Sequence, residues 1–222
     1  MSVNTEPPLT GRREWNKQQK RDRIVAAARA LFYAQGYKKT TTQQIARAAK
    51  VASGTLFLYA KTKEDLLLMV FYDEFMAIIH AITVSADDPR PVEQQVLALF
   101  DTLFDYHARD IELSRELMKV ITFVSEPDQR EDLVEIRLTI ERKLHRIVRN
   151  AQAKGALSEK ADALITARIL FRVYFHTMLF WLGSYGDHKQ RDADLRDLVR
   201  GVLSLAYADA VEHGARLAAG AD

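Results

Sequence analysis

The sequence predicts an all-α protein, and three observations carry that prediction. Apolar residues recur at helical spacing in almost every segment. No segment sustains the apolar–polar alternation of a half-exposed strand. The periodic stretches are separated by breaks rich in Gly, Pro and Asp, at Gly36, Ser85–Pro91, Glu126-Pro127-Asp128, Gly155 and Gly183–Gly186. With 222 residues, 48% of them hydrophobic and 28% charged, the chain is long enough to bury a large core in one or two domains. The pattern reads as about nine helices: a three-helix N-terminal head, a connector and a larger helical body.

Each element follows from local signals. Residues 1–13, with Pro7, Pro8 and Gly11, read as a disordered basic arm. A helix from Glu14 to Gln35 places Ile24, Ala28, Leu31 and Phe32 on one face, and Gly36 supplies the left-handed stop. Thr41 with Gln44 forms a capping box that opens a short helix over 42–49. A second short helix spans 53–59. Thr62 with Asp65 repeats the cap and opens a long connector helix, 63–84. After the turn-forming SADDPRP stretch come helical segments at 92–107, 110–124, 129–153, 160–183 and 192–213. The expected organisation is a head at 14–62 and a body at 63–222.

Composition excludes several function classes. With no Cys, the chain has no disulfide framework, zinc ribbon or thiol nucleophile. The six histidines (80, 107, 145, 176, 188 and 213) have no i,i+4 pair, so no metal site is expected. There is no phosphate-cradling glycine loop and no Gly-x-Ser-x-Gly elbow. Adjacent acid pairs such as Asp73-Glu74, Asp87-Asp88 and Glu131-Asp132 diverge around a helix and read as solvated faces or caps. No catalytic centre and no cofactor are expected. The N-terminus lacks a basic segment followed by an apolar one, and the longest apolar stretches carry Asp73, Glu74 and His80, or Arg172 and His176. The expectation is therefore a cytoplasmic protein with no membrane span. The net charge of +2 hides a division. Residues 1–62 hold twelve basic and three acidic side chains, a local charge of +9, so the remainder carries −7. A cationic end on an acidic body suits a polyanionic partner met by one end only.

The order of residues in the head sharpens this. Two short helices joined by a tight turn can pack on a third helix and present the second of the pair to a major groove. Ile45, Ala46 and Ala49 supply the inward face of 42–49, and Val51 packs in the turn. Ser53, Gly54, Thr55 and Leu58 leave the next helix a small, uncharged outer face that can approach base edges. The run Phe32-x-x-x-Gly36-Tyr37-x-x-Thr40-Thr41-x-x-x-Ile45-Ala46-x-x-Ala49-x-Val51-x-x-Gly54-Thr55-Leu56-Phe57-x-Tyr59-x-x-x-Lys63-x-x-Leu66 resembles the N-terminal domain of the TetR/AcrR family of bacterial transcriptional regulators. The body resembles that family in length and helix count alone.

The resemblance implies a ligand-responsive homodimeric regulator, most simply a repressor of a palindromic double-stranded operator. Carried over by position, it implies that Thr42 contacts phosphate, Gln43 reaches a base, and Ser53, Gly54, Thr55 and Leu58 form the reading face. It further implies that Phe57 and Tyr59 lie at the backbone and that Lys63 binds phosphate. Four positions depart from the family's usual residues: Lys50 stands for Gly, Ala52 for Ser, Phe57 for Tyr and Ala60 for Phe. Lys50 must then adopt or avoid a left-handed turn conformation, and Ala52 cannot cap the reading helix. In the body, Phe100, Phe104, His107, Met118, Phe123, Tyr174, Phe175 and Met178 are candidates to line a pocket for a small, largely apolar effector, although a packed core has the same composition. The segment 160–183 is apolar almost all round and the last helix carries a broad apolar stripe. Phe171, Trp181, Leu195, Leu198, Val199, Val202, Leu205 and Ala206 are therefore candidates for a two-fold interface. Two rival readings stand beside this one: a protein-binding module that no longer reads DNA, and an enzyme on the same fold.

Overall fold

In a computed structural model of the chain, residues 11–123, 127–183 and 187–219 are described, those at 127–129 and 208–219 by backbone alone. Among the described residues there are nine helices and no strand: α1 (Arg12–Gln35), α2 (Thr42–Ala48), α3 (Ser53–Leu56), α4 (Lys63–Ala81), α5 (Val92–Ala108), α6 (Ile111–Thr122), α7 (Pro127–Ala153), α8 (Ala163–Leu182) and α9 (His188–Ala219). The all-α architecture expected from periodicity is the one observed. Boundaries differ by up to six residues, and those of three helices bear on the reading. α1 begins at Arg12, so the last residues of the expected arm are helical, and residues 1–10 lie outside the described residues. α3 closes after Leu56 and the chain continues to Tyr59 in turns. α9 begins at His188 and runs to Ala219.

The chain divides into two compact units, Met1–Glu74 with Glu116–Ser125, and Phe75–Arg115 with Glu126–Asp222. The division falls inside α4 and α6, whereas the sequence placed it at residue 62. The reason is visible in the first unit, where Leu66, Leu67, Val70 and Phe71 of α4 are buried with Ile24, Ala28 and Phe32 of α1 and Ile45 and Ala46 of α2. α4 begins as part of the head's core. Arg21 of α1 fixes the two helices further by donating two hydrogen bonds to the carboxylate of Asp73, at 2.8 and 3.0 Å.

The core of the second unit is an aromatic cluster. Tyr174 of α8 stacks on Phe100 (5.3 Å between centroids) and meets the edge of Phe104 (5.1 Å), both from α5. Phe104 in turn contacts Trp181 at 5.8 Å, and the Arg191 guanidinium of α9 covers both rings. α8 is long and apolar enough by composition alone to cross a membrane, a test that the core helix of a soluble protein also passes. Its buried side, from Ala167 and Leu170 through Tyr174 to Trp181, is nevertheless part of this core.

The α4–α5 loop is clasped by one face of α7. Lys143 donates to the carbonyl of Ile82 (2.6 Å), Asn150 to that of Ser85 (3.2 Å) and Lys154 to that of Asp88 (2.8 Å). A spacing of seven residues puts Lys143 and Asn150 on one stripe of α7, and Lys154 follows four residues on, just past the helix end.

Candidate functional site

The helix-turn-helix is assembled from local hydrogen bonds. Thr41 caps α2: its hydroxyl accepts from the Gln44 amide (3.2 Å), and the Gln44 side chain accepts from the Thr41 amide (2.9 Å). This reciprocal box orders the first turn, where Thr42 is half-buried and Gln43 exposed. At the other end of α2 the chain reverses at Lys50, which adopts φ +55°. The amide of Lys50 donates to the carbonyl of Arg47 (3.1 Å), and that of Val51 to the carbonyl of Ala46 (3.0 Å). That pair of bonds is the Schellman closure, which normally uses Gly at the left-handed position. Lys50 thus takes up the left-handed turn, with a side chain that disfavours it.

α3 hangs on one buried side chain, Leu56. Around it the surface is open: Ser53 and Gly54 are exposed, Thr55 and Tyr59 half-buried, Phe57 48% and Leu58 83% exposed. The turn after α3 thus presents two large apolar side chains, Phe57 and Leu58, to solvent. Ala52 occupies the N-cap position and no side chain caps the helix, so the Ser53 hydroxyl is not used as a cap. A Cβ built on Gly54 would meet nothing within 4 Å, leaving its backbone open to close approach.

α4 opens on Thr62 and Asp65, whose carboxylate accepts from the amides of Lys61 (2.7 Å) and Thr62 (3.1 Å). Lys63 is half-buried. Its ammonium donates to the carbonyl of Tyr37 (3.0 Å) and lies 4.2 Å from the centre of that ring. The Tyr37 hydroxyl donates to Glu64 (2.9 Å), and burial together with the adjacent Glu64 carboxylate raises its pKa. Lys63 is therefore a clamp on the α1–α2 corner as well as a cation at the head. Lys39, Arg47, Lys50 and Lys61 stand exposed around it.

The body candidates separate into groups. Phe100, Phe104 and Tyr174 are packed on one another with almost no exposure. Met178 accepts from the Tyr174 hydroxyl (3.6 Å). Phe175 is half-buried and stacks on Phe171 at 6.2 Å. His107 is buried between Phe75 and Tyr106, with its Nδ1 3.3 Å from the Ser114 hydroxyl; desolvation pushes its pKa down to about 3. Met118 is buried, in the first unit, and Phe123 is 85% exposed.

A cavity of about 450 Å³ in the second unit lies elsewhere, against the last turn of α4, the α4–α5 loop, α5 and α7. Ile78, Ile82, Leu99 and Ile147 supply apolar wall, and Arg90 and Arg109 supply positive charge. None of the eight pocket candidates lines it. Its aliphatic walls come from different helices, so no single stretch of sequence signalled it.

Of the interface candidates, Trp181, Leu195, Val199 and Ala206 are buried inside the protomer, while Phe171 and Val202 are half-buried. Leu198 is 47% and Leu205 76% exposed. Ile165, Ile169 and Phe180 of α8 are also exposed, though the sequence stripe did not single them out. Among the described residues, no group of three or more His, Asp or Glu is placed to hold a metal.

A family model for bacterial regulatory proteins of the tetR family matches residues 24–70, the segment from the first buried residue of α1 into α4. The fatty acid metabolism regulator protein of Bacillus subtilis is 24% identical over 196 residues, covering 85% of this chain and 94% of that protein. The HTH-type transcriptional regulator YuxN of Bacillus subtilis is 31% identical over 87 residues, 37% of this chain and 30% of YuxN's own length. Among solved structures, that of Thermus thermophilus FadR, a TetR-family transcriptional repressor in complex with lauroyl-CoA, aligns over 82% of this chain and 93% of FadR, with 25% identity and a TM-score of 0.67.

Proposed function

Since this chain belongs to the TetR family of bacterial regulatory proteins, we propose that it is a homodimeric repressor that leaves its operator when a fatty acyl thioester enters the body. The observation that carries the DNA-reading half is α3. The outward side of α3 and of the turn after it, with Ser53, Gly54 and Leu58 exposed and Thr55 half-buried, is uncharged and stands on the most cationic part of the chain. Polar hydroxyls and an apolar side chain fit base edges and a thymine methyl, while the surrounding lysines supply phosphate attraction. Thr42 at the start of α2, Gln43 beside it, and Phe57, Tyr59 and Lys63 complete the contact set.

The effector half rests on the cavity beside α4 and on the two acyl-linked relatives. An aliphatic wall suits a hydrocarbon chain, and Arg90 and Arg109 suit a phosphate-bearing headgroup. Arg90 is held in place by Asp88, through bonds of 2.7 to 3.2 Å. Because the cavity abuts the end of α4, a ligand there acts on the helix whose beginning belongs to the head. Coupling of this kind is typically worth ~1–3 kcal/mol.

The test is selection of duplexes from a random-sequence pool by the purified protein, followed by mobility shifts with lauroyl-CoA, free laurate and coenzyme A. A selected palindrome whose shift is reversed by lauroyl-CoA alone is the expected result. Absence of any shifted duplex at low salt would sink the repressor reading. A shift insensitive to all three molecules would sink the acyl-effector reading.

A further inference from the structure

α1 starts twelve residues before Ile24, its first buried residue, and before the matched family segment. From Arg12 to Arg23, Arg21 is half-buried on Asp73 and every other residue is exposed. The segment carries six cations and two acids, Glu14 and Asp22, of which Asp22 is engaged on the helix: it accepts from Gln18 (2.7 Å) and lies 4.0 Å from Arg21. The remaining five cations are arranged by the helical period. Arg12, Arg13, Lys20 and Arg23 fall within a stripe about 100° wide, with Lys17 at its edge. Arg21 falls about 130° from the centre of the stripe and pins the helix through Asp73, which fixes the rotation of that stripe. Among the described residues, Arg12, Arg13, Lys17, Lys20 and Arg23 take part in no hydrogen bond or ion pair.

Such a surface opposes helix stability from within. Arg12 and Arg13 sit in the first turn, where the macrodipole disfavours cations, and like charges follow at i,i+4 and i,i+3. Glu14 offsets part of this in the first turn, but the segment keeps an excess of four positive charges, so an external anion is what the stripe is shaped for. Its length, roughly 17 Å over eleven steps of 1.5 Å, is a rigid row of charge. Duplex DNA presents about one negative charge per 1.7 Å of axis, a matching rigid row. A lipid surface fits worse: Trp15 is the one large apolar side chain in the segment and it lies away from the stripe, so there is no apolar face to enter a bilayer.

We propose that the first three turns of α1 are a second, sequence-independent DNA contact, gripping phosphates outside the half-site read by α3. This rests on the DNA-binding reading above. The stripe positions the head and α3 specifies the sequence.

The experiment compares wild type with the triple variant Arg13→Gln, Lys20→Gln, Arg23→Gln. All three side chains are exposed, and Gln retains helix propensity, so circular dichroism should be unchanged. Binding is measured against salt on the duplex selected by wild type, at a length of about 40 bp and trimmed to about 20 bp around a two-half-site centre. Each lost phosphate contact lowers the log–log salt slope by about 0.9, so six neutralised cations per dimer should lower it by between about two and five units. Trimming should weaken wild type and leave the variant nearly unaffected. A slope change below about one unit, or equal sensitivity to trimming, overturns the proposal while leaving α3 as reader. Wild type that binds no duplex overturns both readings. A variant with unchanged DNA binding that no longer sediments with anionic phosphatidylglycerol vesicles replaces the duplex by a membrane.

Discussion

At the scale of single residues, two side chains occupy positions that chemistry disfavours, and each has a measurable consequence. Lys50 closes the helix-turn-helix at φ +55°. A non-glycine residue there costs about 1–2 kcal/mol, whereas glycine gives back roughly 0.5–1 kcal/mol through the extra freedom of its unfolded chain. Lys50→Gly should therefore raise stability by ~0.5–1 kcal/mol, read as a higher urea midpoint at unchanged m-value. A lower midpoint would show that Lys50 contributes more than its conformation takes away. His107 is the second case. Its folded-state pKa is pushed down to about 3 by burial, so the native protein excludes a proton that the unfolded chain binds below about 6.5. Stability is unaffected above that value and falls as the pH drops from about 6.5 toward 3, at up to ~1.4 kcal/mol per unit. His107→Gln should be less stable at neutral pH, because it disrupts the contacts to Phe75, Tyr106 and Ser114. Its deficit should shrink by about 2 kcal/mol between about pH 6 and 4.5. A constant deficit across that window would mean that His107 takes up a proton in the folded state.

At the scale of elements, legibility followed the range of the interactions. α2 was readable because both its ends are written locally: Thr41 and Gln44 close one, and the Lys50–Val51 reversal closes the other. α3 was readable as a motif and misread as a helix of seven residues. With Leu56 as its one anchor, the chain relaxes into turns by Tyr59. The start of α1 was misread because Pro7, Pro8 and Gly11 mark the end of order, and a solvated cationic run has no apolar period to set against them. The body resisted for another reason. Tyr174, Phe100 and Phe104 satisfy both a cavity lining and a core, and it is tertiary packing, stacking at 5.1 to 5.3 Å, that makes them core. The cavity beside α4 is bounded by a loop whose position depends on three side chains of α7, some sixty residues away in sequence. That clasp gives the effector reading its mechanical basis. Lys143, Asn150 and Lys154 hold the loop from outside, so in the proposed effector mechanism a ligand between loop and helix would press against a fixed wall and act on the end of α4.

At the scale of the whole molecule, the proposed dimer would bring two heads to one operator through the exposed apolar surface of α8 and α9. Each helix has a side spent on the protomer's own core: Leu170, Tyr174 and Trp181 on α8, and Leu195, Val199 and Leu203 on α9. Their other sides leave Ile165, Ile169 and Phe180, with Leu198 and Leu205, in solvent. A row of large apolar side chains along two neighbouring helices is the kind of surface that a two-fold partner would cover in the proposed dimer. The distinction between the two sides also determines which substitution is informative. Trp181→Arg would place a charge against Phe104 beside the Arg191 guanidinium and break the core, so the loss of a dimer there would say nothing about the interface. Phe180→Glu with Leu205→Glu changes side chains that stand in solvent in the protomer and introduces four like charges across a two-fold contact. Sedimentation should show a folded monomer with helicity unchanged by circular dichroism. On the selected palindrome the apparent affinity should fall at least 100-fold, because each half-site must then be bound separately and the linkage between heads is lost. An intact dimer in that double variant would move the interface off α8 and α9, and with it the route by which a shift at the end of α4 changes the spacing of the two heads.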